Sequence, residues 1–284
     1  MPIASLPAQP GATTLAGHPP TDWAGRRFDP AGGGARIISL VPSITELLFD
    51  LGLARQIVGR THYCIHPRKQ VAAIPSVGGT KKIVMDRLKA LAPTHVIVNV
   101  DENPKEMADA IADLGIAVVV THPAAPHDNI PLYRLMGHLF GRQREADALC
   151  TRLSAALDDL ARTAADWPRR RVLYLIWRDP WMTISPDTYI ARMLALVNWQ
   201  TIGDHTSLRY PEITIDQGLL DCLDLVLFAS EPFPFKAADV RSFGASFPGS
   251  RPARILIDGE MVSWYGSRAI QGLSYLKALA GQFL

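Results

Sequence analysis

The chain has few cysteines, little net charge and no long apolar run. Its three cysteines, Cys64, Cys150 and Cys222, are spread over 284 residues. Their number is odd and no two form a Cys-x-x-Cys pair, which argues against a disulfide framework and fits a reducing compartment. Lysine and arginine total 29 against 27 acids, a formal charge of +2. That near-balance excludes the basic footprint of a nucleic-acid binder and gives no hold on an anionic membrane. The longest apolar stretches, such as 116–120, are strand-sized and fall far short of the ~20 residues that span a bilayer, so no membrane insertion is expected. The opening residues, MPIASLPAQPGATTLAGHPPTDWAGRR, show no basic stretch followed by an apolar one, and no cysteine precedes Cys64 to carry a lipid. The expectation is a cytoplasmic protein, or a periplasmic one if the true start lies upstream.

What is present is a packed globular composition, 48% hydrophobic and 20% charged. Residues 1–34 are rich in proline and glycine and read as a flexible tail. From residue 35 to about 140, strand and helix alternate. Strands are expected at 36–41, 57–60, 95–100 and 116–121. A helix is expected after Ser43, which with Glu46 three residues later forms a capping box, and Gly52 suits its end. Helices are also expected at 84–91 and after Asn103-Pro104-Lys105-Glu106, with Asn103 as cap. This alternation argues for a parallel sheet flanked by helices.

Residues 128–166 change period. Leu149, Leu153, Ala156, Leu157 and Leu160 share one helical face, and Gly141 divides the segment in two. The second helix, assigned to 141–167 with its linkers, would run roughly 35 Å at 1.5 Å per residue, enough to cross between two lobes. Alternation resumes in a second lobe at 168–284. Strands are expected at 171–177, 182–185, 224–229 and 254–257, and helices at 188–196, 215–220 and 267–282. The fold class is α/β: two lobes with mostly parallel sheets joined by one long backbone helix.

In open α/β sheets, ligands bind beyond the carboxyl ends of the strands. Here those ends carry Thr61-His62-Tyr63-Cys64, Asp101-Glu102-Asn103, Trp177-Arg178-Asp179-Pro180-Trp181, Ser230-Glu231-Pro232-Phe233-Pro234-Phe235 and Ser263-Trp264-Tyr265-Gly266-Ser267-Arg268. Rings and a few polar groups thus collect at one edge of both lobes, as in a cleft for a bulky, partly apolar ligand. The stretch G-R-T-H-Y-C-I-H-P (59–67) also admits other readings. His62, Cys64 and His66 would share one face of an extended chain and could meet a zinc, copper or haem iron, with His122 or His127 as a further ligand. Cys64 with a histidine could form a nucleophilic pair, and Glu231 could act as a base if buried. A metal-dependent hydrolase or chelatase-like enzyme using His62, Cys64 and His66 is therefore the alternative function, and an interaction module with a decayed cleft is a third.

Several of these motifs also carry a family resemblance. Ile37-Ile-Ser-Leu-Val-Pro-Ser-Ile-Thr-Glu-Leu47, the 59–67 loop, Val77-Gly-Gly-Thr80 and Leu91-Ala-Pro-Thr-His-Val-Ile97 resemble substrate-binding proteins of iron–siderophore and cobalamin ABC importers, the helical-backbone metal receptors. The resemblance extends over about 36–284, resting in the second lobe on Trp177–Trp181, Arg209-Tyr210-Pro211-Glu212, Ser230–Phe235 and Ser263–Arg268. It implies binding without catalysis, no required cofactor, and a metal-chelate ligand in the interlobe cleft: cobalamin or another corrinoid first, then haem or a ferric siderophore. The resemblance puts an aromatic at the position of Tyr63 in the ligand cleft, and together with the strand ends the residues expected at the ligand are Thr61, His62, Tyr63, Cys64, Lys81, Glu102, Trp177, Arg178, Trp181, Tyr189, Arg209, Tyr210, Glu231, Phe233, Trp264, Tyr265 and Arg268. It further implies an ABC permease as partner, docked through the positions of Asp86 and Asp216, and a monomer with small lobe movement on binding.

Overall fold

The computed structural model describes residues 20–202 and 208–284. The first lobe comprises β1 (Ile37–Ser39), α1 (Pro42–Asp50), β2 (Ile57–Thr61), α2 (Arg68–Val71), β3 (Ser76–Gly78), α3 (Met85–Ala90), β4 (His95–Asn99), α4 (Lys105–Ala112) and β5 (Ala117–Thr121). Two helices follow, α5 (Asn129–Phe140) and α6 (Gln143–Ala164). The second lobe holds β6 (Arg170–Leu175), α7 (Tyr189–Ala195), β7 (Trp199–Thr201), α8 (Gln217–Asp221), β8 (Leu225–Ala229), α9 (Ala237–Ser246), β9 (Ala253–Ile257), α10 (Gly259–Ser263) and α11 (Arg268–Ala280). The sheets run β3-β2-β1-β4-β5 and β7-β6-β8-β9. Every strand pairing within them is parallel, and all carboxyl ends of a sheet therefore share one edge.

Strand alternation divides the interior. Ile37 and Ile97 point inward to a large central core, while Ile38, Val96 and Val98 point outward to a smaller core closed by Leu88 of α3 and Ile111 of α4. In the second lobe Val172 and Tyr174 face the central core, and Leu173 and Leu175 meet Phe228, Phe235 and Phe243 outside. The central core is continuous from α1 through α5, α6, α7 and α11. α6 contributes Leu149, Leu153, Leu157 and Leu160 at three- and four-residue spacing. α6 joins the lobes as expected, and a helical layer shared with α1, α5, α7 and α11 packs on both sheets, so that sliding one lobe would open that core.

Several local expectations give way to tertiary contacts. α1 starts at Pro42 with Val41 as cap and no side-chain cap bond. Glu46 is instead drawn out of the expected capping box by Arg268. Asn103 does not cap α4, whose cap position is Pro104. It ties the loop instead, accepting from the Asn99 amide at 2.8 Å and donating to the Thr80 carbonyl at 2.8 Å. Residues 182–185 form only isolated bridges, Met182 pairing with Trp177 and Glu212. Strands β3 and β7, three residues each, carry too little pattern to be seen in sequence. Gly141 does divide the helices, with φ at 67° as α5 ends.

Of the expected tail, residues 1–19 lie outside the described residues. Residues 20–34 are not free. The Asp22 carboxylate accepts from the backbone and guanidinium of Arg26 and from the Val120 amide. The Trp23 amide donates to the Val120 carbonyl at 2.9 Å. The segment therefore covers β5, an edge strand whose backbone groups would otherwise lack partners.

Candidate interlobe binding site

The carboxyl edges of the two sheets face each other, and polar contacts close the floor between them. Tyr265 donates its hydroxyl to Glu102 Oε1 at 2.6 Å. Glu231 Oε1 accepts from Ser263 Oγ at 2.7 Å and from Trp264 Nε1 at 2.8 Å. Arg209 reaches Asp101 at 3.1 Å across the gap and Asp187 at 3.2 Å on its own side. His66 Nε2 lies 2.9 Å from Glu260. Arg268 is the tightest link: two nitrogens meet both oxygens of Glu46 at 2.7 and 2.8 Å, a third lies 3.3 Å from Glu260, and the guanidinium sits over Trp264.

The backbone positions these groups. Gly266 adopts φ +79°, donates its amide to Asn129 Oδ1 at 2.6 Å and accepts from Tyr133. An added Cβ there would stand 3.0 Å from the Ser43 carbonyl, so only glycine lets the loop before α11 approach α1 this closely. The Phe233 amide donates to the Ile176 carbonyl, which holds the Phe233 ring edge-on to Trp177. After β2, the His62 amide bonds the Gly78 carbonyl, and the His62 ring rests against Tyr63, centroids 4.1 Å apart.

Burial shapes the electrostatics. Glu102 is pushed up to about 7, chiefly by desolvation; the Tyr265 bond opposes this and the nearby charge of Glu231 adds to it. Burial also raises Glu231, against the pull of Ser263 and Trp264. Tyr210 is pushed up to about 12 by burial and the neighbouring Asp101 charge. A carboxyl that is half neutral near pH 7 can both donate and accept hydrogen bonds.

The structure gathers some expected residues at this edge and removes others. Tyr63 is 55% exposed, Trp177 40% and Tyr210 38%, large rings left in solvent. His62 is exposed beside them, and Lys81, also exposed, donates to the Asp101 carbonyl. Glu102 with Tyr265, and Glu231 with Trp264, are joined by hydrogen bonds at this edge, whereas Phe233 packs on the outer core of the second lobe beside Phe235.

Trp181 is instead part of the outer core of the second lobe, stacked on Phe235 and edge-on to Phe243. Tyr189 is buried against Asn129 and Tyr265. Thr61 and Cys64 are buried too; the thiol contacts Thr45 at 3.0 Å and Thr61 at 3.2 Å, and burial raises its pKa. Arg178 is held by Asp239 and Asp179, and Arg268 by its clamp. The expected His62, Cys64 and His66 cluster does not form, because the chain turns: Cys64 points into the lobe and His66 toward Glu260. His122 packs against Trp23 and His127 is exposed. Among the described residues no group of three or more His, Cys, Asp or Glu side chains could hold a metal ion.

Sequence reasoning missed Glu46, Asn129 and Glu260, the partners that close the floor. Only Glu260 had a local signal, since Asp258 before Gly259-Glu260 reads as a helix start, and Asp258 does cap α10. A hollow of about 800 Å³ lined by Arg36, Arg55 and Arg142 lies at the opposite, amino-end edge of the first sheet and presents no aromatic ring.

The sequence profile of the periplasmic binding proteins matches residues 37–216. The chain belongs to that family. This binding protein is 25% identical over 251 residues to an uncharacterized ABC transporter substrate-binding lipoprotein of Bacillus subtilis, covering 85% of this chain and 78% of the relative. It is 25% identical over 194 residues to a vitamin B12-binding protein of Yersinia pestis, covering 66% and 67%. Among solved structures, the periplasmic vitamin B12 binding protein of Vibrio cholerae superposes with a TM-score of 0.78 at 16% identity, over 88% of this chain and 98% of that one. A periplasmic heme-binding protein from Roseiflexus gives 0.72 at 20% identity, over 88% and 99%. These likenesses establish the two-lobed fold. They also correct the expectation of a cytoplasmic protein, since the relatives are a lipoprotein and periplasmic binding proteins, which work outside the cytoplasm. Among the described residues no helix is long and apolar enough to cross a membrane.

Proposed function

We propose that the interlobe cleft holds a metal chelate with a broad macrocyclic face, a corrinoid in the first place and haem or a ferric siderophore as the alternatives. The observation that carries this is the pair of open rings, Tyr63 at 55% and Trp177 at 40% exposure, on strand ends of different lobes. Rings of that size are normally well buried, and leaving them in water is costly unless a ligand covers them. The vitamin B12-binding relatives favour the corrinoid. His62, exposed beside Tyr63, would supply an imidazole to the polar rim of such a ligand or to its metal.

Delivery to an ABC permease follows from the same reading. Asp86 opens α3 in the first lobe and Asp216 caps α8 in the second, and these are the two positions through which such a permease would be met. Both are exposed, although the Asp216 carboxylate also caps α8 through the Leu219 amide at 2.8 Å.

The hydrolase alternative finds no support, because the thiol it needs is buried and the histidines beside it diverge. Calorimetric titration with cyanocobalamin, haemin and a ferric hydroxamate tests the proposal. Saturable binding of one class at one site supports it, and no heat with any of the three rejects it.

A further inference from the structure

The floor of the cleft is acidic, and its acids are not all used. Glu102 spends Oε1 on Tyr265, and Glu231 spends Oε1 on both Ser263 and Trp264. The hydrogen bonds of both carboxylates among the described residues run to Oε1, and both side chains are partly rather than fully buried. The cations nearby are already engaged: Arg209 by Asp101 and Asp187, Arg268 by Glu46 and Glu260, and Lys81 by the Asp101 carbonyl. The charges that act on Glu102 include Glu231, Lys81 and Asp101, and those that act on Glu231 include Glu260 and Asp258; Lys81 keeps its positive charge, since its partner is a neutral carbonyl. A ligand entering between Tyr63 and Trp177 therefore meets free acceptors, and among the described residues Arg209 and Arg268 are already paired with carboxylates.

From this we infer that Glu102 and Glu231 set specificity: their free oxygens accept hydrogen bonds from a ligand whose rim carries neutral carboxamides, and exclude one whose rim carries carboxylates. The inference rests on the chelate-binding reading above and sharpens it. A carboxamide N–H pairs with a carboxylate oxygen as a charge-assisted hydrogen bond. A carboxylate in the same place sets like charges together in a partly desolvated site, where repulsion is weakly screened. The upward pressure on Glu102 adds a pH signature: as it takes up a proton below neutrality, the rejection of a carboxylate rim weakens.

Two corrinoids with the same axial ligands separate the outcomes. Dicyanocobinamide presents carboxamides and dicyanocobyrinic acid presents carboxylates. Affinities for the wild type and for Glu102→Gln/Glu231→Gln are measured by absorbance titration at pH 8 and pH 6. At pH 8 the wild type is expected to favour dicyanocobinamide at least tenfold. That ratio is expected to fall below about threefold in the double variant, and to shrink in the wild type at pH 6. Equal binding of the two corrinoids by the wild type overturns the inference alone, as does a preference that survives in the double variant. If neither corrinoid binds the wild type, the corrinoid reading fails and the inference with it. The wild-type comparison needs no substitution and decides the matter even if the variant folds poorly.

Discussion

Arg268→Ala should destabilise the whole molecule rather than one lobe. The Arg268 side chain is 7% exposed and Glu46 is 16% exposed. Removing the guanidinium strands the Glu46 carboxylate in a site that water reaches poorly, and weakens the hold on Glu260, which keeps His66. Breaking a buried pair by deleting one partner costs about 3–5 kcal/mol, mostly for the charge left behind. At about 2–4 °C per kcal/mol for a chain of this size, the melting temperature should fall by roughly 6–20 °C. Arg268→Met with Glu46→Gln removes both charges and keeps the volume, so it should recover to within about 2 kcal/mol of the wild type. Urea denaturation followed by tryptophan fluorescence and by circular dichroism gives both free energies. Because the central core runs unbroken through both lobes, the two probes should report one transition. A loss under 1 kcal/mol for Arg268→Ala, or a double variant as unstable as the single one, would refute the claim that a desolvated ion pair locks the lobes.

Three further outcomes follow from burial. Glu102 keeps its proton to about pH 7 in the folded chain, against 4.5 when unperturbed. Between those values the unfolded state releases a proton that the native state retains, so the group lowers stability as pH rises, by roughly 3 kcal/mol in total. Subtracting the pH–stability curve of Glu102→Gln from that of the wild type should isolate this fall; a flat difference between pH 4.5 and 7 contradicts it. Ellman's reagent should label exposed Cys222 quickly in the native protein and reach buried Cys64 and Cys150 only on unfolding, as mass spectrometry of labelled peptides would show. Leu153, fully buried on α6, should cost about 2–5 kcal/mol when cut to alanine, measured by urea denaturation.

Much of the fold was legible because its signals are local and repeated. The buried run of β4, the period of α6 and the glycine stops at Gly52 and Gly141 each declare an element without reference to the rest. The site was legible only as a set of strand ends. Among the described residues Tyr63 meets only His62 and Trp177 only Phe233 as ring partners, and both stay largely exposed, whereas Trp181, four residues from Trp177, is claimed by Phe235 and Phe243. No spacing rule separates those two tryptophans; the packing of α9 does. The loop at 59–67 shows the same limit. An extended chain would align His62, Cys64 and His66, but the turn in which the Cys64 amide meets the Thr61 carbonyl sends the thiol inward. Interlobe partners such as Glu46 and Arg268, 222 positions apart, leave no trace in a local pattern.

The central claim is that open rings on facing strand ends hold a metal chelate between two fixed lobes. Its most direct measurement is a calorimetric titration of cyanocobalamin into the wild type and into Tyr63→Ala/Trp177→Ala. A ring that covers a ligand face contributes on the order of 1.5 kcal/mol or more, about tenfold in affinity each. The account predicts one-site binding to the wild type and a loss of about a hundredfold in the double variant, whose melting temperature stays near that of the wild type. Binding that survives removal of both rings undiminished, or wild-type protein that takes up no chelate at all, would contradict it.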